Sequence, residues 1–281
     1  MAPFVLGEDN VKETRKCLRA LLAHIHSEKG LNKREPIYLI INTKIALTRQ
    51  KDYIPRIIPL SKGLEKLSDK SVLLITKDPS THYRAELTLS GSLTEDVFNH
   101  IYSMKKLKAL SSETRKIDKL FKEFDIVVAD NRVHKFLPDL LGAKFYQKNK
   151  KVPFMLQMAK PDHNAVLTTG KKSHKLKDER CDPRYVYQQM KAIVKNTYYI
   201  PPANGNCISI KFGFTDWKVD ELLENINDIF FYMIDSKYQP VGGLLRSVKN
   251  LNSAHIKTSE SISLPIYKSG KDADISKVSS G

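Results

Sequence analysis

The sequence predicts an α/β protein in two units, one inserted into the other. Two observations carry this. Through the middle of the 281-residue chain, short apolar runs rich in β-branched residues alternate with helical stretches, the spacing of βαβ units on a parallel sheet. That stretch also has edges: a strictly apolar strand opens at Val72, and a basic, polar connector covers 157–181. The pieces on either side are each too small for a good core, so they are expected to pack together. The predicted division is 1–70 with 158–268 as one discontinuous domain, 71–157 as the insert, and 269–281 as a disordered tail.

Each element has its own warrant. Residues 11–29 place Val11, Leu18, Leu21, Leu22 and Ile25 on one helical face. Ile37–Ile41 reads as a buried strand, and Arg56–Leu60 as a weaker one. Ser61–Asp69 is a polar crossover. Val72–Ile75 is a strand that runs to a turn at Asp78-Pro79. Helices are expected over 94–110 and 111–124, a strand over Asp125–Asp130, and a short helix over 131–141. Ala143–Tyr146 and Val152–Leu156 are further strand candidates. Asp182-Pro183 opens a helix, with the aspartate as cap and the proline in the first turn. Cys207–Phe214 alternates: Ile208, Ile210, Phe212 and Phe214 inward, Cys207, Ser209, Lys211 and Gly213 outward. Asp216 is the expected cap of a helix striped by Val219, Leu222, Leu223, Ile226, Ile229, Phe230 and Met233. Residues 251–258 and 261–267 close the chain as extended segments.

Charge narrows the function. Forty-seven Lys and Arg against 31 Asp and Glu give a net charge of +16. Such an excess favours a polyanion, because each neutralised phosphate releases condensed counterions. A membrane partner is not expected: no myristoylation glycine follows the first Met, no secretory signal is read, and no apolar run approaches the roughly 18 residues of a span. Cys17, Cys181 and Cys207 fit neither a disulfide framework nor a zinc spacing, and the eight histidines lack ligand spacing. No glycine-rich phosphate loop or nucleophile elbow occurs. The expectation is therefore no cofactor, no metal and no catalysis.

The candidate contacts are polar and basic. Ser209, Lys211 and Gly213 line the outward face of one strand, where a small residue, a cation and a glycine would let an RNA backbone approach. Lys257, Thr258, Ser259 and Ser261 form a second cluster whose hydroxyls suit phosphate and 2′-OH groups. Lys148, Lys150 and Lys151 form a basic tip on the middle unit, and Lys105, Lys106 and Lys108 another.

A set of segments then carries a family resemblance. In order they are Ile37 to Thr43, Ile54 to Leu60, Leu73 to Asp78, Asp125 to Asp130, Leu141-Gly142 through Pro153, Asp182-Pro183, Ile208 to Gly213, Glu221 to Ile226, and Lys257 to Ser259. Their order and spacing, from about Leu18 to Tyr267, resemble the large-subunit ribosomal stalk-protein family of the L1 type, and within it the eukaryotic nucleolar branch without long basic extensions. The resemblance implies a split α/β sandwich domain carrying an inserted Rossmann-like three-layer α/β/α domain, with a hinge between them. It implies a non-catalytic ribosome assembly factor of the nucleolus, a monomer within a large ribonucleoprotein particle. Its partners would be precursor ribosomal RNA and other assembly factors of the small-subunit processome. The alternatives are a constituent of the mature large subunit and an RNA-modifying enzyme. The expected RNA surface is Lys33, Arg34, Lys44, Ser209, Lys211, Gly213, Lys257, Thr258, Ser259 and Ser261. The chain departs from the family in three places. Glu260-Ser261-Ile262-Ser263 replaces a Thr-Met-Gly-Pro-type turn, Lys33 replaces an aromatic residue, and Ala143 to Tyr146 replaces a glycine-rich loop. These departures imply a different RNA or a grip supported by partner proteins.

Overall fold

The computed structural model describes residues 3–29, 34–47, 52–148, 151–162, 168–170, 173–202, 205–239 and 241–269. For 28–29, 148, 168–170 and 173–177 it describes the backbone alone. The elements in chain order are α1 (Glu8–Lys29), β1 (Pro36–Thr43), β2 (Arg56–Ile58), β3 (Val72–Thr76), α2 (Thr81–Leu87), β4 (His100–Ser103), α3 (Met104–Ser111), α4 (Thr114–Glu123), β5 (Ile126–Asp130) and α5 (Asn131–His134). They continue with α6 (Leu137–Ala143), β6 (Phe154–Leu156), β7 (Thr168–Gly170), β8 (Ser173–Lys177), α7 (Pro183–Lys195), β9 (Thr197–Tyr199), β10 (Cys207–Phe214), α8 (Val219–Ile234), β11 (Leu251–Lys257) and β12 (Leu264–Lys268). The architecture is α/β with a parallel sheet. It separates into two compact units: residues up to Glu65 with those from Lys195 onward, and Lys66–Val194.

The first unit is built on an antiparallel sheet of order β10-β1-β11-β12. Along β1, Ile37, Leu39, Ile41 and Thr43 are buried while Tyr38, Ile40 and Asn42 are not. The buried face packs with Leu18, Leu21 and Ile25 of α1 and Ile226, Ile229 and Phe230 of α8. Both helices thus lie on one side, and among the described residues of this unit no helix covers the other, as antiparallel sheets allow. The β2–β9 pair is held nearby by Asn225 of α8. Its side chain accepts from the Lys62 amide at 3.0 Å and donates to the Phe212 carbonyl at 2.8 Å.

The second unit holds the parallel sheet, of order β4-β3-β5-β6. Every residue of β3 is buried, the pattern of a strand covered on both faces. At the carboxyl end of β5 the fully buried Asp130 carboxylate pairs with Arg132. That guanidinium also donates to the Tyr83 hydroxyl at 2.9 Å and to the Asp178 carbonyl. Burial opposes the Arg132 charge, but the Asp130 hydrogen bonds and charge outweigh it and hold the guanidinium protonated.

Several sequence expectations need correction. The sequence predicts the second domain boundary at 158, yet α7 belongs to the same compact unit as β6. The cause is local bonding. The Gln189 side chain receives the Gln157 amide at 3.0 Å and returns a bond to its carbonyl at 2.8 Å, and the Asp182 amide donates to the Met158 carbonyl. Ala143–Tyr146 is no strand. Gly142, at φ +64, breaks the preceding helix and Lys144–Lys148 forms a π-helical turn. The helix expected over 94–110 is β4 followed by α3, with the Ser103 hydroxyl capping α3 at the Lys106 amide. Helix α2 went unpredicted. Asp216 does not cap α8, which begins at Val219; the Lys218 amide donates instead to Glu221 at 3.3 Å. Asp182 does cap α7, accepting from Arg184 and Tyr185. The connector carries the β7–β8 hairpin. The expected tail, beyond Ser269, lies outside the described residues.

Candidate nucleic-acid interface

The open face of the antiparallel sheet is assembled from four strands drawn from three distant parts of the sequence. Because β1 pairs with β10 on one side and β11 on the other, outward residues line up in cross-strand rows. One row runs Lys211, Tyr38, Lys257. The next runs Ser209, Ile40, His255, Pro265. The third runs Cys207, Asn42, Ser253, Lys268. The rows put the cations at the edges of a polar centre. There the Asn42 amide donates to the Ser253 hydroxyl at 3.0 Å, and His255 Nε2 lies 3.1 Å from that hydroxyl. Burial and the nearby Lys268 charge lower the His255 pKa from its ordinary value, so the ring is neutral near pH 7 and can share one proton with Ser253.

Carboxylates temper one edge. Lys211 pairs with Glu65 at 3.0 Å and lies 5.3 Å from the centre of the Phe214 ring. Arg34 stacks on the same ring at 3.9 Å, with Asp216 at 3.8 Å and the Leu64 carbonyl at 3.4 Å. Among the described residues, Lys257 and Lys268 have no ion-pair partner. The strongest unneutralised charge of this face therefore lies on β11 and β12.

The predicted site residues divide. Ser209, Lys211 and Lys257 do share the open face. Arg34 lies beside Phe214 at the sheet edge, and Lys44 is exposed just past β1, its amide bonded to the Asn250 carbonyl at 2.8 Å. Ser259 is exposed in the turn after β11.

Gly213 is a correction. A register shift between Ile37 and Tyr38 makes Phe212 a bulge, so the alternation read from sequence breaks and Gly213 is buried. A β-carbon there would lie 2.3 Å from Leu222 Cδ2 and 3.1 Å from the Trp217 ring. The glycine serves the approach of α8 and not that of a ligand. Thr258 is a second correction: it is buried, and its hydroxyl accepts the Ser261 amide at 3.2 Å while the Ser261 hydroxyl accepts the Thr258 amide at 2.9 Å. This reciprocal pair closes the turn before β12. Lys151 is a third. Its ammonium caps α4 through the Phe121 and Phe124 carbonyls at 2.6 and 2.8 Å, and burial lowers its pKa. Lys33, Lys150 and the side chain of Lys148 lie outside the described residues.

Sequence reading missed Asn42, Ser253, His255 and Lys268. A signal existed: Ser253, His255 and Lys257 stand at every second position of 251–257, the same period that exposed Ser209 and Lys211.

The decisive observation comes from comparison with known proteins: the sequence profile described as "Ribosomal protein L1p/L10e family" matches residues 21–262. The chain belongs to that family. It is 39% identical to "Ribosome biogenesis protein UTP30" of Saccharomyces cerevisiae over 94% of this chain and 93% of that one. A more distant relative, "Ribosomal L1 domain-containing protein 1" of Mus musculus, is 26% identical over 75% of this chain and 41% of its own length. The segments that first pointed to the family lie almost wholly inside the matched range. No helix among the described residues is long and apolar enough to cross a membrane, and no group of three or more potential metal ligands occurs among them.

Proposed function

We propose that this L1p/L10e-family protein is a non-catalytic factor of ribosome biogenesis that binds precursor ribosomal RNA on the open face of its antiparallel sheet. The single observation that supports this most is the set of cross-strand rows, which set Lys211, Lys257 and Lys268 around Ser209, Asn42, Ser253 and His255 on the face opposite α1 and α8. Lysines there would meet phosphates, and the central hydroxyls and amide would meet sugar and base edges. Tyr38 and Ile40, half-exposed between the polar groups, would give ribose or a base an apolar surface. Glu65 would have to release Lys211 on binding, so Lys257 and Lys268 carry more of the affinity in this reading.

The finer placement, in the nucleolus within the small-subunit processome, rests on the similarity to UTP30, which is named as a ribosome biogenesis protein. The competing reading, a constituent of the mature large subunit, draws on the family's ribosomal description. Sucrose-gradient sedimentation of the tagged chain separates them: a factor travels with early precursors, a constituent with finished subunits. Crosslinking in cells tests the face itself. RNA adducts are expected at Lys257, Lys268 or Tyr38, and adducts confined to other surfaces would remove the sheet from the proposal.

A further inference from the structure

The helix pair α3–α4 of the second unit carries a charge arrangement that the sheet reading leaves unused. Arg115, Lys119 and Lys122 are exposed on α4 at spacings of four and three, which puts them in one row along the helix. With Asp118 and Glu123 they line a shallow open groove. On an ordinary solvated helix these two carboxylates would neutralise the row, since Asp118 stands four before Lys122 and Glu123 four after Lys119. Both line the groove, yet neither comes within ion-pair distance of the row. Asp118 pairs with Lys144, and Glu123 lies 3.6 Å from His100 Nε2. Glu113, the remaining acid of the pair, is held by Lys116 at 2.6 Å. Arg115, Lys119 and Lys122 are left without an ion-pair partner among the described residues, and as like charges one turn apart they repel. On α3, which packs against α4, exposed Lys105 and Lys108 add the same sign.

We propose that this row on α4 is a second phosphate-binding surface, taking the backbone of a folded RNA without reading its sequence. The proposal rests on the RNA-binding reading for the class of polyanion, but on different residues in a different unit. The row offers three point charges spread over about 10 Å of helix, at 1.5 Å rise per residue, a span that successive backbone phosphates can match. No aromatic side chain lines the groove to stack on a base, so the expected contribution is electrostatic and salt-sensitive. A wholly acidic protein segment is the other occupant such a row could take; RNA is favoured because the open sheet face of the same chain is basic as well.

The test uses the full chain and a mixed-sequence RNA hairpin, with affinity measured across a salt series. R115Q/K119Q/K122Q is expected to make the slope of log affinity against log salt shallower by about 2 to 3, and to do so equally for hairpins of different sequence. K257Q/K268Q, on the sheet, should lower the slope separately, and the two effects should add. An unchanged slope for the α4 variant overturns the proposal, and if the sheet variant still weakens binding the primary reading survives. Lost binding to a polyglutamate peptide with RNA binding intact would also overturn it, in favour of an acidic protein partner.

Discussion

The two sheets of this molecule treat their faces differently. In the antiparallel sheet, β1 buries every second residue and α1 and α8 cover one side only. In the parallel sheet, β3 is buried at all five positions. Parallel connections return through helices that cover both faces, whereas antiparallel neighbours need no such cover. The open sheet can therefore present ligand-contacting side chains from its own strands. The faces of the closed one cannot, so a binding surface of its unit is carried by helices such as α4 or by the loops at the strand ends. The exposed row of α4 touches no core, and the buried positions of β3 touch no solvent.

The sharpest way to break this comparison is a pair of truncations at the sheet centres. Leu74→Ala in β3 should cost about 4 kcal/mol, because a fully buried leucine leaves a cavity. Ile40→Ala on the open face of β1 should cost less than about 1 kcal/mol. Urea denaturation of both variants measures the gap, and equal losses would mean the open face is covered. Next comes Asp130→Ala, expected to cost about 3 kcal/mol by leaving Arg132 without its buried counter-charge; the melting temperature of the variant checks it. Gly213→Ala should cost about 2 kcal/mol, since the new methyl meets Leu222 and Trp217. Its RNA affinity, measured where the variant is still folded, should be unchanged, which a ligand-facing glycine would not allow.

On the recognition side, K257E/K268E should weaken RNA binding about tenfold or more at moderate salt and flatten its salt dependence, read by fluorescence anisotropy. The smallest effect concerns pH. His255 is depressed below its ordinary value of 6.5, so between its folded pKa and that value the unfolded chain binds more protons. Stability conferred by the neutral ring is present above that window and lost as pH falls through it. A bound phosphate would raise the same pKa, so RNA binding should strengthen slightly as pH falls towards about 6, a trend His255→Gln should abolish.

Much of this was legible in the residues themselves. The stripes of α1 and α8, the alternation of β10 as far as Lys211 and the Asp182 cap follow from periodicity and from one side chain's hydrogen bonds, whereas β1, read as wholly buried, alternates. Failures came where a neighbour decides. Nothing in Cys207–Phe214 announces the bulge opposite β1, so Gly213 was read on the wrong face. The Thr258–Ser261 pair looks like free hydroxyls until the turn closes. Lys151 reads as a loop cation because its partners are the terminal carbonyls of α4, a main-chain feature with no sequence signature. β4 was lost inside a presumed helix because His100–Ser103 is too short to show a period of its own. On the open face, the rows joining residues 38–42 to 207–211 and 253–268 are a matter of register between distant strands, which one strand's pattern cannot supply.

The strand order β10-β1-β11 has a consequence for synthesis. When β1 leaves the ribosome, both of its pairing partners are still more than 150 residues from being made, so its edges stay unpaired while the whole second unit emerges and can collapse on its own. The open sheet face comes into being only after the last strands are translated. Chains arrested early would carry the α4 row yet lack the assembled sheet face.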